Sequence, residues 1–462
     1  MIQWIRGAVW GPWLTALFLA SGIYFTVRFR GFQITGISRW WRETAGSLLR
    51  SQDEEKKSQF ASACTALAAT VGTGNIAGVA AAVAVGGPGA VFWMWVSAVF
   101  GMMTAYAEVY LGRKYRYKDN SGRPVCGPYA YLERGLGMRW LGLLYAAFCV
   151  LASLGMGSMV QANAVAQSAA FSASFPLPAT GAVLTVLVMA VIFGGAERIS
   201  AAAVSLVPAS AAFYMGLCAV ILLFHAGELS EAFLLIFKDA FSIESAAGGA
   251  AGVLTGRALR YGISRGVFSN EAGLGSLAVL HGEAEEPEKF RKGQSKADRT
   301  QMSGERFARE QGMWAIFEVF FDTIVSCTMT ALVLLCVGGS QIPAAAGQEE
   351  AMAGSAWVAS CFSACFGRLG GGLVSLAMSL FAFATIIAWF YLGSQALSYL
   401  TEGKPWKRSV QLCYGFLYLN AVFFGCVARL TLVWDLSDIF NGLMAVPNLI
   451  GLFLLRRQVE RP

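Results

Sequence analysis

The stretch Val71-Gly-Thr-Gly-Asn-Ile-Ala-Gly-Val79 interrupts an apolar segment that is otherwise long enough to cross a membrane as one helix. Two glycines flank Thr73, and Asn75 follows them, so this stretch is a poor helix former. One interpretation is close helix packing through small residues, because Gly74 and Gly78 have the GxxxG spacing. The other is local unwinding, which leaves backbone N–H and C=O groups available to a ligand. A dinucleotide loop is excluded, since the glycines do not match GxGxxG and no strand precedes them.

A second stretch, Arg265-Gly-Val-Phe-Ser-Asn-Glu-Ala-Gly-Leu-Gly-Ser276, places glycines, an amide and a carboxylate inside another apolar segment. Such groups are costly at membrane depth unless they serve a function. The two interrupted segments each open a set of five predicted helices, 59–224 and 247–455. Paired interruptions at corresponding positions are typical of inverted-repeat secondary transporters, whose site lies between the repeats. We therefore predict a binding site between residues 71–75 and 266–276.

The composition of the chain is that of a membrane protein. Of its 462 residues 56% are hydrophobic and 14% are charged, whereas about a quarter of the residues in soluble proteins are charged. A spanning helix needs roughly 20 apolar residues. The predicted fold class is an all-α polytopic membrane protein with eleven transmembrane helices, at 7–27, 59–84, 88–112, 140–170, 180–195, 199–224, 247–280 with a break, 311–337, 372–400, 409–428 and 431–455.

The distribution of basic residues predicts how these spans are oriented. Most of the 35 lysines and arginines fall in the segments 28–58, 113–139 and 281–310 and near the carboxyl terminus. Short cytoplasmic loops carry the excess of such residues. We expect a multi-pass protein of the cell membrane with its amino terminus outside and its carboxyl terminus in the cytoplasm. Residues 1–58 would form an extra amino-terminal helix and a cytoplasmic linker, and both repeats would belong to one transmembrane domain.

Other classes of function fit the sequence poorly. The net charge of +7 is spread between apolar spans, so it does not indicate nucleic-acid binding. An enzyme is not expected, because the chain has two histidines, no metal-ligand cluster and no Ser/His/Asp arrangement at one depth. A channel or a substrate sensor remains an alternative, although a channel would favour a repeated ring of pore-lining residues over two unlike breaks.

Several motifs occur in an order that resembles the alanine or glycine:cation symporters, the sodium:alanine symporter family of the amino acid-polyamine-organocation superfamily. The similarity covers nearly the whole chain and rests on residues 71–79, Gly86-Gly-Pro-Gly-Ala90, Phe92-Trp-Met-Trp95, Gln161-Ala-Asn163, Arg265-Gly-Val-Phe-Ser-Asn-Glu-Ala-Gly273, Asp322-Thr323, Cys327-Thr-Met-Thr330 and Phe381-Ala-Phe-Ala-Thr385. It implies the five-plus-five inverted-repeat fold of the bacterial neurotransmitter:sodium symporters, preceded by one extra helix.

The chain also departs from the pattern of that family. Ala384 stands where the family usually has a serine, which removes one candidate sodium ligand, and Ser394 replaces a usual glutamate. Leu277-Ala-Val-Leu-His281 and a charged loop replace a short stretch rich in alanine and proline.

The implied function is import of a small neutral amino acid, alanine or glycine, with sodium. A zwitterion needs N–H donors for its carboxylate and oxygens for its ammonium. We expect the carboxylate at the N–H groups of the first interruption, where a half-helix amino terminus is partly positive. The ammonium would take carbonyls of the second interruption and the side-chain oxygen of Gln161, which could alternatively serve only to join helices. The predicted substrate residues are Gly72, Thr73, Gly74, Asn75, Gln161, Phe268, Ser269, Gly273 and Trp389, of which Phe268 and Trp389 would close the pocket.

Sodium is a hard cation that prefers several oxygen ligands. We predict a site from the carbonyls of Ala68 and Val71, the hydroxyl of Thr385 and carbonyls near Phe381 and Ala384. Sodium is the coupling ion, and no cofactor is expected. Besides sodium and the amino acid, membrane lipid is the expected partner, and the chain could act as a monomer.

Glu271 is open to three interpretations. An intramembrane carboxylate can relay protons, coordinate a cation or pair with a buried arginine such as Arg265. We favour structural pairing near the helix break. Glu108, Glu318 and Asp322 raise the same question. Because of these acids and of Ala384, proton coupling is the main alternative to sodium coupling.

Overall fold

The computed structural model describes residues 2–48, 54–120, 122–241, 256–283, 296–338 and 354–462. Nearly all of these residues are helical, and a two-stranded antiparallel sheet pairs Tyr117–Lys118 with Pro124–Val125. Within the described residues, eight helices are long and apolar enough to cross a membrane, which confirms the polytopic α-helical class. They are Trp4–Arg28, Gly89–Lys114, Arg139–Ala173, Gly195–Phe224, Gly304–Gly338, Arg368–Leu400, Lys407–Val427 and Leu430–Gln458.

The interrupted second span is a ninth candidate. Its two halves, Ser58–Thr70 and Thr73–Gly86, meet at an angle of 55°. The predicted span at 180–195 forms Leu177–Ile192, whose 16 residues are short for a spanning helix. In the predicted seventh span, residues 247–255 lie outside the described residues, and the rest forms Arg257–Asn270 and Ser276–Leu280. The count of eleven spans and the inverted repeat therefore stay predictions.

In the described part of the chain, three further helices of 9 to 13 residues have no counterpart among the predicted spans. They are too short to cross a bilayer, which is why a search for long apolar segments passes over them. Their bounds are Pro128–Leu136, Leu229–Ala240 and Gly354–Phe366.

The helix Gly89–Lys114 is central to the packing of the molecule. Arg257–Asn270 and Lys296–Val319 pack along it, and most of its side chains are buried. Arg368–Leu400 forms a second centre, which packs against Gly195–Phe224 and Gln161–Ala173. Large apolar side chains such as Val27, Leu223 and Phe224 are exposed on the outer surface. This distribution is the one expected of a helix bundle with lipid as its solvent.

Two spans change to wider π-helical turns in their middle, at Ser153–Val160 and Phe320–Cys327. Such turns shift the side chains that follow them and occur often at functional sites. Phe320–Cys327 packs against both interrupted helices described below, and Ser153–Val160 ends directly before Gln161, which contacts the first of them.

The extra amino-terminal helix packs against the last span. Trp10 Nε1 donates a hydrogen bond of 2.6 Å to the carbonyl of Asp438, and Arg6 pairs with Asp435. The helix therefore has direct contacts with the transmembrane core.

Candidate functional site

The first break comprises residues 71–76, between the helices Glu54–Thr70 and Ala77–Gly86. A single 3₁₀ turn, Thr73–Asn75, fills most of it. The Gly72 N–H donates a 3.0 Å hydrogen bond to Asn75 Oδ1, so the asparagine side chain closes the turn. All residues of the break are buried. The local unwinding predicted from the two glycines is thus present.

The second break comprises residues 271–275, between Arg257–Asn270 and Ser276–Leu280. Three of its residues have left-handed backbone conformations, with φ of 57° at Glu271, 92° at Gly273 and 80° at Gly275. Glycine adopts this conformation freely, whereas a residue with a Cβ such as Glu271 adopts it at a cost of roughly 1–2 kcal/mol. Non-glycine residues held in this way occur often at functional sites.

Two glycines of the first break lie against three other helices of the fold. A Cβ added at Gly74 would lie 3.3 Å from Phe268 Cδ1 and 3.5 Å from Ser269 Cα, just ahead of the second break. A Cβ at Gly72 would lie 2.6 Å from Thr385 Oγ1 and 3.1 Å from Gln161 Oε1. Glycine is therefore the residue that fits at position 72 without displacing Thr385. By contrast, a Cβ at Gly78 would meet nothing within 4 Å, which argues against the GxxxG packing interpretation.

Gln161 lies at the first break, immediately after the π-helical turn Ser153–Val160. Its Oε1 accepts hydrogen bonds from the Thr73 N–H at 3.1 Å and the Thr73 hydroxyl at 2.8 Å. Its Nε2 donates to the Met156 carbonyl at 3.2 Å. In this conformation the Gln161 oxygen is thus engaged by Thr73, and Gln161 joins its own span to the break.

Asp322 connects the first break with the end of the helix that leads to the second. Its Oδ1 accepts a 2.6 Å hydrogen bond from Asn75 Nδ2, and its Oδ2 accepts bonds from Ser269 Oγ at 2.7 Å and Thr323 Oγ1 at 2.8 Å. It is fully buried, and within the described part of the chain it has no lysine, arginine or histidine partner. A buried carboxylate with neutral donors stabilises a cation placed beside it. In the sequence, Asp322 stands out as part of a family motif and as one of several intramembrane acids, but it is not among the predicted substrate or sodium residues.

The predicted pairing of Glu271 with Arg265 is wrong. Arg265 instead pairs with Asp438 at 2.9 Å, and its guanidinium carbon lies 4.3 Å from the ring centroid of Trp434. Glu271 accepts hydrogen bonds from Ser276 Oγ and, at 2.9 Å, from Trp389 Nε1. The reason is geometric, because the left-handed residue at the helix end turns the Glu271 side chain away from the helix that carries Arg265.

Two of the predicted substrate residues lie elsewhere than at the first break. Gly273 faces the extra amino-terminal helix, where an added Cβ would lie 2.3 Å from Phe18 Cε1. Trp389 is wholly buried between Glu271 and Gly157. The predicted pocket closure by Trp389 therefore has no direct support from its position, whereas Phe268 does lie against Gly74.

The predicted sodium ligands belong to the edge of the first break and to the helix Arg368–Leu400. Ala68 and Val71 lie at the helical edge of the break, and the helix Glu54–Thr70 packs against Arg368–Leu400. From that second helix the Thr385 hydroxyl reaches Gly72 and donates a 3.0 Å bond to the Phe381 carbonyl. Ala384 is buried beside it. These contacts place the Thr385 hydroxyl beside Gly72 and the Phe381 carbonyl, and the role of all five residues as sodium ligands stays a prediction.

Two unwound helices that meet inside a bundle of apolar spans define the class of an integral membrane transporter. The family model described as the sodium:alanine symporter family matches residues 1–461, and the chain belongs to that family. An uncharacterised transporter of Haemophilus influenzae is 38% identical over 98% of this chain and 93% of its own length. The sodium/alanine symporter AgcS of Methanococcus maripaludis is also 38% identical, over 98% and 94%. The probable sodium/glutamine symporter GlnT of Bacillus subtilis is 35% identical, over 98% and 87%.

The family resemblance identified from the sequence motifs is therefore confirmed. The relatives are transporters, which favours sodium-coupled amino-acid symport over enzymatic activity. Their printed substrates include both alanine and glutamine, so family membership does not specify the amino acid.

Proposed function

We propose that this protein imports a small neutral amino acid, alanine or glycine, together with sodium, and that the site lies between the two breaks. The observation that carries the proposal is the contact of Gly74 with Phe268 and Ser269, by which the first break meets the end of the helix Arg257–Asn270. Backbone N–H and C=O groups are freed by both breaks, and a zwitterion needs both kinds of group.

The substrate carboxylate would bind at the N–H groups of Thr73 and Gly74. The helix Ala77–Gly86 starts just beyond them, and its partly positive amino terminus favours an anion. Because Gln161 Oε1 accepts from the Thr73 N–H, a carboxylate at that position must displace it. We therefore assign Gln161 to an exchange with the carboxylate, in place of the ammonium contact expected from the sequence.

The ammonium would bind carbonyls around Phe268 and Ser269, and the phenyl ring of Phe268 would restrict the size of the side chain. Sodium would take the carbonyls of Ala68 and Val71 with the Thr385 hydroxyl, and Phe381 and Ala384 would supply further carbonyls. Asp322 provides the negative charge for both cations, since its carboxylate accepts hydrogen bonds from Asn75 and Ser269. Glu271 remains available for proton coupling, which is the alternative to sodium coupling.

Transport of one sodium with a neutral zwitterion moves one positive charge. A membrane potential of 100 mV, negative inside, then contributes roughly 2.3 kcal/mol to uptake. The inverted-repeat fold and the outside position of the amino terminus belong to this proposal as well.

Uptake of labelled alanine and glycine into proteoliposomes, under separately imposed sodium and proton gradients, tests the proposal. We expect uptake to follow the sodium gradient and to increase with an inside-negative potential. Saturable counterflow of the labelled amino acid would distinguish a carrier from a channel. Uptake that follows the proton gradient and is indifferent to sodium would contradict sodium coupling.

A further inference from the structure

His281 is wholly buried, although it carries a titratable side chain. It lies directly after the helix Ser276–Leu280. This is the end of the seventh span that lies away from the break. Its Nδ1 is 2.7 Å from Gln311 Oε1, and its Nε2 is 3.1 Å from the Glu318 carboxylate. Gln311 and Glu318 are also fully buried, and both belong to the helix Lys296–Val319. Neither the proposed substrate site nor the proposed sodium site uses these residues.

The hydrogen-bond partners of the His281 ring determine how many protons it shares. With the Gln311 amide oriented so that Oε1 faces the ring, Nδ1 carries a hydrogen, because an amide oxygen only accepts hydrogen bonds. The contact between Nε2 and Glu318 then needs one more proton, because an unprotonated Nε2 and a carboxylate both accept. That proton resides either on Nε2, as imidazolium facing carboxylate, or on Glu318, as a carboxylic acid facing imidazole. In both cases the pair holds one proton more than a neutral histidine beside a carboxylate.

The groups around the pair include one cation. Arg113, from the central helix Gly89–Lys114, donates 3.3 Å hydrogen bonds to the carbonyls of His281 and Gly282, so it faces the backbone of this segment. Other titratable groups of the elements packed against it include Cys64 on the second span, Cys126 beside the strand Pro124–Val125, Glu271 at the break, and Tyr106, Glu108 and Tyr110 on the central helix. Arg368–Leu400, which also contacts this segment, has its one charged residue at its first position.

From this geometry we infer that His281, Gln311 and Glu318 form a proton-binding site that fastens the end of the seventh span to the helix Lys296–Val319. The inference goes beyond the proposed amino-acid and sodium transport, and it adds a proton as a further ligand. While the contact is closed, the proton is shared by His281 Nε2 and a Glu318 oxygen. When the two helices separate, water replaces these partners, and the proton passes from Nε2 to water.

Physical chemistry gives the direction of the effect. Histidine in water changes its charge between about pH 5 and 8, so the separated form is largely unprotonated above neutral pH. The closed form then binds one proton more than the open form, and a falling pH shifts the equilibrium towards closure. Opening on this face of the membrane, which the orientation prediction places in the cytoplasm, should therefore become slower as the pH on that side falls towards 6.

Nitrogen NMR of histidine tests the protonation directly, because the chain has only two histidines. In protein labelled with ¹⁵N-histidine, H225Q removes the other signal, since His225 lies partly exposed at a helix end. We expect Nδ1 of His281 to be protonated throughout pH 6–8, and Nε2 to be protonated or to accept a proton from Glu318. An unprotonated Nδ1 in that range would overturn the proposal whether or not the protein transports alanine.

A transport measurement tests the consequence. Counterflow in proteoliposomes of known orientation is compared at pH 6 and pH 8 on the side of the membrane on which His281 lies, with the other side held at pH 7. We expect the wild type to slow at least threefold at pH 6, and E318Q to lose this dependence, because an amide cannot hold the shared proton. The matched control is E310Q, since Glu310 lies on the same helix, is partly exposed and pairs with Arg306.

A wild-type pH profile in E318Q would overturn the proposal, as would loss of the profile in E310Q. Sodium-dependent counterflow at pH 7, measured in the same preparations, reports separately on the proposed function. A protein that fails in that assay but shows the expected His281 spectrum would contradict the proposed function and leave the proton site standing.

Discussion

Asp322 uses one carboxylate to hold residues from two different parts of the chain. Asn75 of the first break and Ser269 at the end of the helix before the second break both donate to it, with bonds of 2.6 and 2.7 Å. The π-helical turn Phe320–Cys327 carries it. Because neutral donors surround it, its negative charge is available to a cation between the first break and the end of the helix Arg257–Asn270.

Replacement of Asp322 by asparagine removes this charge and keeps the size of the side chain. We expect the sodium concentration for half-maximal uptake to rise at least tenfold, which corresponds to about 1.4 kcal/mol of lost binding free energy. This half-maximal sodium concentration is obtained by measuring alanine uptake over a series of sodium concentrations. The control is E197Q, since Glu197 is exposed in the first turn of its helix and should leave the titration unchanged. An unchanged sodium titration in D322N would remove Asp322 from the cation site.

At the level of residues, the sequence identified Asn75, Gln161 and Ser269 because polar side chains in apolar spans are conspicuous. Their partners could not be predicted in the same way. Asn75 and Asp322 are 247 positions apart, and Arg265 and Asp438 are 173 apart, so no spacing rule relates them. The assignment of Arg265 to Glu271 relied on nearness in sequence, and the reversal of the backbone at Glu271 made it wrong.

At the level of elements, pairs of glycines beside polar residues indicated both breaks, because glycine lowers helix stability. Glycine alone is not sufficient, since Gly262 and Gly393 lie inside unbroken helices. Hydropathy located the long spans because the thickness of the bilayer sets the length of the apolar segments that cross it. The π-helical turns at Ser153–Val160 and Phe320–Cys327 left no such signal, because one additional residue in a turn changes neither composition nor length.

The two glycines of the second span should differ in their tolerance of alanine. G72A places a Cβ 2.6 Å from Thr385 Oγ1, so it should reduce alanine transport at least tenfold. G78A meets nothing within 4 Å, and alanine is a better helix former than glycine, so near-normal transport is expected. Counterflow gives the activity, and thermal unfolding in detergent shows that both variants are folded. If G78A lost as much activity as G72A, the GxxxG packing interpretation would be restored.

At the level of the whole molecule, hydropathy and charge predicted a polytopic bundle, and they could not predict which helices lie at its centre. Gly89–Lys114 and Arg368–Leu400 are buried on most sides, whereas Lys407–Val427 leaves much of its apolar surface exposed. The sequences of all three helices are apolar, so their hydropathy does not reveal this difference in burial. In a membrane, both the lipid and the protein interior favour apolar side chains, so hydropathy alone does not distinguish a helix that faces lipid from one in the core.

The orientation of the molecule provides a test of its span count. The excess of lysine and arginine in 28–58, 113–139 and 281–310 predicts that these segments face the cytoplasm. With eleven spans the two termini lie on opposite sides of the membrane, whereas ten or twelve spans place them together. We expect protease added to right-side-out vesicles to remove an epitope tag at the amino terminus and to spare one at the carboxyl terminus. Lysed vesicles are the control, because both tags should then be cleaved. Equal protection of the two tags in intact vesicles would exclude an odd number of spans, and with it the arrangement of one extra helix before two five-helix repeats.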